Sequence, residues 1–507
     1  MSADVIAGPA AFSTGSTVYL GKTADGVVHV PGVRYGERLD PADRFSPLGD
    51  PSPGRGQASP TVFPQSPGSL DWLIGPALSR LPQNEDSFLL DIWAPEGARD
   101  LPVLVFLPGG AFISGAGNVG WYDGARLAAE GNAVVVTVSY RLGALALLGG
   151  SDRPLNLGAQ DILQALRWIS ANIGAFGGDP EAVTLAGHSA GAWYAYVLSL
   201  APAAKGLFCR TALFSLPWQP PLSPAAYEER RELFNGLLAE ALAKEALAGG
   251  GAGEGPGNDD GGLLATAPIA AILEAQAAVG RAYAGRGLGL MPGADGELVP
   301  DWAMDFTRAA ACLHVQSLLL SSTDNEAAAF LHAVPVAAVG PEQLAGFVAT
   351  HFEDAGDVLA FLDARLPEGT PHAKLVEAMS LHQFRLAATE LACLADAAGV
   401  ASTLLRFSVP SGLEGAGSPH CFDLPFLFGN REDWQDAPML RGFPGDSFDA
   451  VSDQLRPLLL SFVADGNARS CSGEPLGPFT RDRPVLHAVT GSGLVPRNLE
   501  PELRALR

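Results

Sequence analysis

An α/β architecture, with a mostly parallel sheet covered by helices on both faces, is predicted for this 507-residue chain by three observations. Continuous apolar runs, too short for helices, alternate with helix-period segments from about residue 85 to 220, the pattern of strands buried on both faces. Hydrophobic residues make up 47% of the chain and charged residues 17%, enough to fill a large core and to exclude global disorder. The 60 Gly and 40 Pro punctuate many short elements and stay below a low-complexity level.

The elements follow in order. Residues 100–107 read as a buried strand that breaks at Pro108-Gly109-Gly110. Residues 132–139 are a second, β-branched strand bounded by Gly131 and Gly143. A helix is expected over 161–173, where Ile162, Ala165, Leu166 and Ile169 form one stripe. Residues 182–186 are a short strand, and the chain turns helical again from Ala190. Beyond residue 220 the pattern becomes more helical, above all over 225–247. Residues 249–262, almost purely Gly and acid, read as a flexible surface insertion, with sheet-type patterns resuming on both sides. Strands recur at 315–321 and 404–409, and no internal repeat is present, so residues 1–507 are expected to form a single domain.

Charge and cysteine content narrow the function. With 32 Lys and Arg against 55 Asp and Glu the net charge is −23. That balance is wrong for neutralising phosphates or docking on anionic lipid, so neither nucleic acid nor membrane is an expected partner. No apolar stretch reaches the 18 or so residues of a membrane span. The N-terminal residues lack the basic start of a secretory leader. The five cysteines are scattered without a CxxC pair, which indicates neither a zinc site nor a redox motif. A cytoplasmic protein is expected.

Gly187-His188-Ser189-Ala190-Gly191 fits G-x-S-x-G, which needs small flanking residues because its serine sits on a strained strand-to-helix turn. The context is present: an expected strand precedes Ser189 and a helix follows. A serine hydroxyl needs a base to take its proton and donors to hold an oxyanion. Pro108–Phe112, following a buried strand, can turn backbone N–H groups towards a substrate oxygen, with Ala190 adding another. Pro108 stands where such loops usually carry His.

These motifs, with others, resemble the type-B carboxylesterases, the cholinesterase-like branch of the α/β-hydrolases. Residues 84–93 (NEDSFLLDIW) are similar to the E-D-C-L-x-L-N signature, 107–117 (LPGGAFISGAG) to the glycine loop, and 139–143 (SYRLG) to N-Y-R-L-G. Residues 175–180 (AFGGDP), read through the elbow, resemble A-F-G-G-D-P-x-x-V-T-x-x-G-x-S-A-G. The resemblance spans about residues 15–490. It implies an α/β-hydrolase fold with helical insertions forming a gorge, and a Ser189 nucleophile.

It also implies the rest of the triad. Residues 419–429 (PHCFDLPFLFG) resemble H-x-x-[D/E]-[L/I]-x-F-x-F-G and make His420 the base. His188 adjoins the serine but is expected to point elsewhere. Residues 323–327 (TDNEA) resemble T-x-D-E-[G/A] and make Glu326 the acid, with Asp324 as the alternative because Asn325 replaces the usual Asp. Gly110, Ala111 and Ala190 would form the oxyanion hole, and neither metal nor organic cofactor is required. The expected activity is hydrolysis of small carboxylic esters through an acyl-enzyme. Carbamate or amide hydrolysis with the same triad is the alternative, and a non-catalytic binding module the third. Trp218 and Phe112, with Trp193 behind them, are candidates for the substrate pocket. Cys421 is expected to pack as a small hydrophobe. Ser87 replaces the cysteine that bridges the first loop in the family.

Overall fold

The computed structural model describes residues 10–15, 17–148, 154–248 and 262–499. Twelve strands form one sheet: β1 (Ala10–Thr14), β2 (Thr17–Ala24), β3 (Val27–Arg34), β4 (Leu89–Pro95), β5 (Leu101–Leu107), β6 (Val134–Val138), β7 (Gly178–His188), β8 (Arg210–Phe214), β9 (Ser317–Thr323), β10 (Ala401–Phe407), β11 (Val485–Thr490) and β12 (Gly493–Asn498). Their order is β1-β2-β3-β4-β6-β5-β7-β8-β9-β10-β11-β12. The run from β6 to β11 is parallel, and antiparallel pairings close both ends.

β5, β6, β7, β9 and β10 fall on the expected apolar runs, and β5, β6 and β9 are buried on both faces because helices cover both, whereas the parallel β11 was not expected and is half-buried. The helix Leu157–Asn172 buries Ile162, Ala165, Leu166 and Ile169 as its stripe requires. Its Asp161 forms a buried ion pair with Arg141, Nη2 to Oδ1 2.5 Å. That contact anchors the 139–143 segment at the end of β6. A second core, on the other face, is built around the helix Gly445–Asp465.

The helix expected over 225–247 runs from Pro224 to Ala248. Residues 249–261 of the expected insertion lie outside the described residues. Their immediate flanks are the helices Pro224–Ala248 and Gly262–Thr266, and beyond those the sheet resumes as expected, with β8 before and β9 after paired side by side. Among the described residues no helix is long and apolar enough to cross a membrane.

Candidate active site

β7 lies between β5 and β8 near the centre of the sheet and delivers Ser189 at its C-terminal end. Ser189 has φ +55° and ψ −121°, a left-handed conformation costly for a side chain with Cβ. The helix Ala190–Leu198 starts at once behind it, and the Ser189 amide donates to Phe214 O at 2.9 Å. A Cβ on Gly191 would stand 2.1 Å from Leu107 O, so the elbow closes on β5 only with glycine there.

The segment after β5 wraps over this elbow. Gly110, Ala111 and Phe112 all have positive φ, and the Ile113 and Ser114 amides both donate to Gly110 O. The N–H groups of Gly110 and Ala111 donate to no backbone carbonyl among the described residues. Together with Ala190, the first residue of a helix whose opening amides lack intrahelical partners, they are free for a substrate oxygen. Two side chains fix the loop. Tyr140 donates its hydroxyl to Pro108 O at 2.6 Å. Gln65 takes the Gly115 amide at 2.9 Å and returns its own amide to Gly115 O at 3.2 Å. Pro108 thus contributes its carbonyl to the support of the loop.

Glu326 sits just past β9 and His420 in the loop after β10. His420 Nδ1 and Glu326 Oε2 are 2.6 Å apart, with the histidine 1% and the glutamate 0% exposed. Glu326 Oε1 accepts from the Ser215 hydroxyl and the Thr323 amide, each at 2.7 Å, so both oxygens are engaged. Asp324 lies 3.7 Å from Arg406 Nη1 instead, so the carboxylate beside His420 is that of Glu326. Asn325 clasps the loops together: its amide donates to Ser418 O at 2.9 Å and its Oδ1 accepts from Ser418 N at 3.0 Å. The rings of Phe330 and Phe384 lie 5.1 and 5.2 Å from that of His420.

Ser189, His420, Gly110 and Ala111 all line one pocket, with Leu70, Ile74, Trp121, Phe330 and Trp434 among its apolar walls. Two expected pocket residues are elsewhere. Phe112 is buried in the core with its ring 5.3 Å from those of Trp193 and Tyr194. Trp218 is 37% exposed and packs edge-on against His382. Its backbone amide donates to Gln383 O, and Trp218 is not part of the wall of the pocket that holds Ser189.

His188 also departs from expectation. Its ring stands 4.6 Å from that of His420 on the pocket wall, and burial followed by the His420 charge pushes its pKa well below the ordinary histidine value. Cys421 is buried as expected, and desolvation, then Asp423 and Glu326, raise its thiol pKa, so it stays protonated. Asp423 is fully buried; desolvation and then the Glu326 charge raise its pKa to about 7.

Residues 14–354 match the carboxylesterase family. The chain belongs to that family. It is 31% identical over 496 residues to the probable N-octanoylanthranilate hydrolase of Rhodococcus erythropolis, covering 92% of this chain and 94% of that one. It is 27% identical over 423 residues to the phenmedipham hydrolase of Pseudarthrobacter oxydans, covering 81% and 80%. The solved carboxylesterase of Geobacillus stearothermophilus superposes with a TM-score of 0.81 at 25% identity, covering 98% of this chain and 100% of that one. The protein is a carboxylic ester hydrolase of the α/β-hydrolase fold.

Three residues of this carboxylesterase were not found by sequence reasoning. Ser215 is a lone serine after a strand, with no pattern to mark its bond to Glu326. Gln65 stands far from every motif. Tyr140 was visible inside SYRLG, but only the fold brings its hydroxyl to Pro108 O.

Proposed function

We propose that Ser189 is the nucleophile, His420 the general base and then acid, and Glu326 the carboxylate that orients it. The observation carrying this reading is the 2.6 Å contact between buried His420 Nδ1 and Glu326 Oε2 on the wall of the pocket that contains Ser189. With Nδ1 engaged by the carboxylate, Nε2 is the nitrogen free to take the serine proton. Ser189 Oγ then attacks the ester carbonyl, and the oxyanion is held by the N–H groups of Gly110, Ala111 and Ala190. One such donor is worth about 3 kcal/mol of transition-state stabilisation. The imidazolium returns its proton to the leaving alcohol, and water repeats the cycle on the acyl-enzyme. Both Glu326 oxygens being tied to neutral donors or the ring keeps the carboxylate facing His420 throughout.

The apolar walls favour an uncharged aryl or alkyl ester. Hydrolysis of N-acyl compounds is the second reading, favoured by the near-full-length similarity to the N-octanoylanthranilate hydrolase. Parallel assay of p-nitrophenyl esters, an anilide and an aryl carbamate separates the two. The single sheet running from Ala10 to Asn498 supports one catalytic unit, and five unbridged cysteines favour a reducing cytoplasm. The decisive variant is Ser189→Ala. It lowers ester turnover by about 10⁴-fold or more, as loss of a triad member does, while circular dichroism stays unchanged and a phosphonate no longer labels the protein. Retained turnover in that variant ends the assignment.

A further inference from the structure

One donor atom from each of His188, His420 and Cys421 lies within 4.8 Å of the other two, and all three residues are buried and line the pocket. His188 Nε2 has no hydrogen-bond partner. Asp423 stands 3.9 Å from it, and neither of its buried carboxylate oxygens has a partner either. Ester hydrolysis uses only His420 of these four. Two imidazoles and a thiol on one wall, with an uncompensated carboxylate behind them, are a donor set for a borderline-soft cation. An orphaned buried carboxylate beside them is a group that gains from positive charge nearby.

We propose that His188, His420 and Cys421 bind a thiophilic divalent cation of the zinc class, and that its binding switches the esterase off. The inhibitory half rests on the reading of His420 as base. Glu326 holds Nδ1, so the cation takes Nε2, the nitrogen that serves Ser189. Glu326 then orients a metal ligand through the same bond that orients the base. The Cys421 thiol releases its proton to solvent as the metal–sulfur bond forms, with no change of oxidation state. Thiolate, Asp423 and the Glu326 carboxylate bonded to His420 set negative charge around the double positive charge of the ion. Zn–N distances of about 2.0–2.1 Å and Zn–S of about 2.3 Å put tetrahedral donors about 3.5 Å apart. The three side chains therefore close on the ion by roughly 1 Å, and the fourth position faces the pocket.

The test uses Co²⁺ as a spectroscopic probe and Zn²⁺ as the inhibitor, on the full chain in chelator-free buffer. A thiolate-to-cobalt charge-transfer band appears in the wild type and persists in Ser189→Ala, which separates metal binding from the serine nucleophile. In Cys421→Ser the band disappears and the zinc concentration that halves ester turnover, read against that variant's own zinc-free rate, rises by about tenfold or more. If Cys421→Ser does not fold, His188→Asn is read in the same two assays. No band in the wild type, or a band and zinc sensitivity that survive both substitutions, overturns the site in favour of the other four cysteines or of none.

Discussion

Asp423 shows what a single buried carboxyl costs and when. Its side chain has no hydrogen-bond partner, the amides of Asp423 and Leu424 face it without reaching bonding geometry, and Glu326 repels its charge. Desolvation raises its pKa from 3.8 to about 7. The unfolded chain releases this proton near the lower value and the folded chain near the higher one. Between them the native state binds more protons, so stability falls as pH rises through that window. The difference corresponds to roughly 4 kcal/mol at most, fully lost above about pH 7. Asp423→Asn removes the ionisation while keeping the shape. Thermal unfolding at pH 5 and pH 8 should therefore show a higher Tm than wild type at pH 8 and a clearly smaller gain at pH 5. Ser189 is costly in another way, since its φ of +55° is strain held by β7 and the helix behind it.

The elements that meet at the site are two loops from neighbouring strands, β9 and β10, and Asn325 is what joins them. It pairs with the Ser418–Pro419 segment as an isolated bridge. Asn325→Ala frees the His420 loop from the Glu326 turn. It should lower kcat by about 10- to 100-fold with KM little changed, whereas Asn325→Asp, which keeps the acceptor oxygen, retains most of the rate. Steady-state kinetics on one ester separates the two parameters. β5, β6 and β9 were legible because both faces are buried: VVVTV at β6 is an unbroken apolar signal. The β1–β3 meander was not, because β2 buries Thr17, Tyr19 and Gly21 while exposing Val18 and Leu20, an inverted alternation. β4 was masked by Asp91, buried in mid-strand and bonded to the Gly32 amide. Ser189, Glu326 and His420 stood in motifs. Their helpers did not, since Ser215 and Gln65 act only through tertiary proximity. His188 was set aside because the elbow's direction depends on a φ that residue identity does not reveal.

Across the whole molecule the net charge of −23 repels itself, and the pairs that offset it are local, such as the exposed Arg469–Asp465 bridge. Exposed pairs contribute about 0–1 kcal/mol each, so the long-range repulsion should dominate the salt response. Raising NaCl from about 0.01 to 0.15 M shortens the screening length from about 30 to 8 Å and should raise Tm in a thermal scan. A falling Tm would mean that the pairs outweigh the repulsion. The sheet's margins carry a separate consequence. β1 is five residues long, and β12, mostly exposed, places Pro496 on the opposite margin, where no amide hydrogen is available. Since Val18, Leu20 and Val495 lie exposed near these margins, the protein presents greasy side chains there but little free backbone for a stray strand to copy, so crowded copies have no ready template for zipping into a fibril.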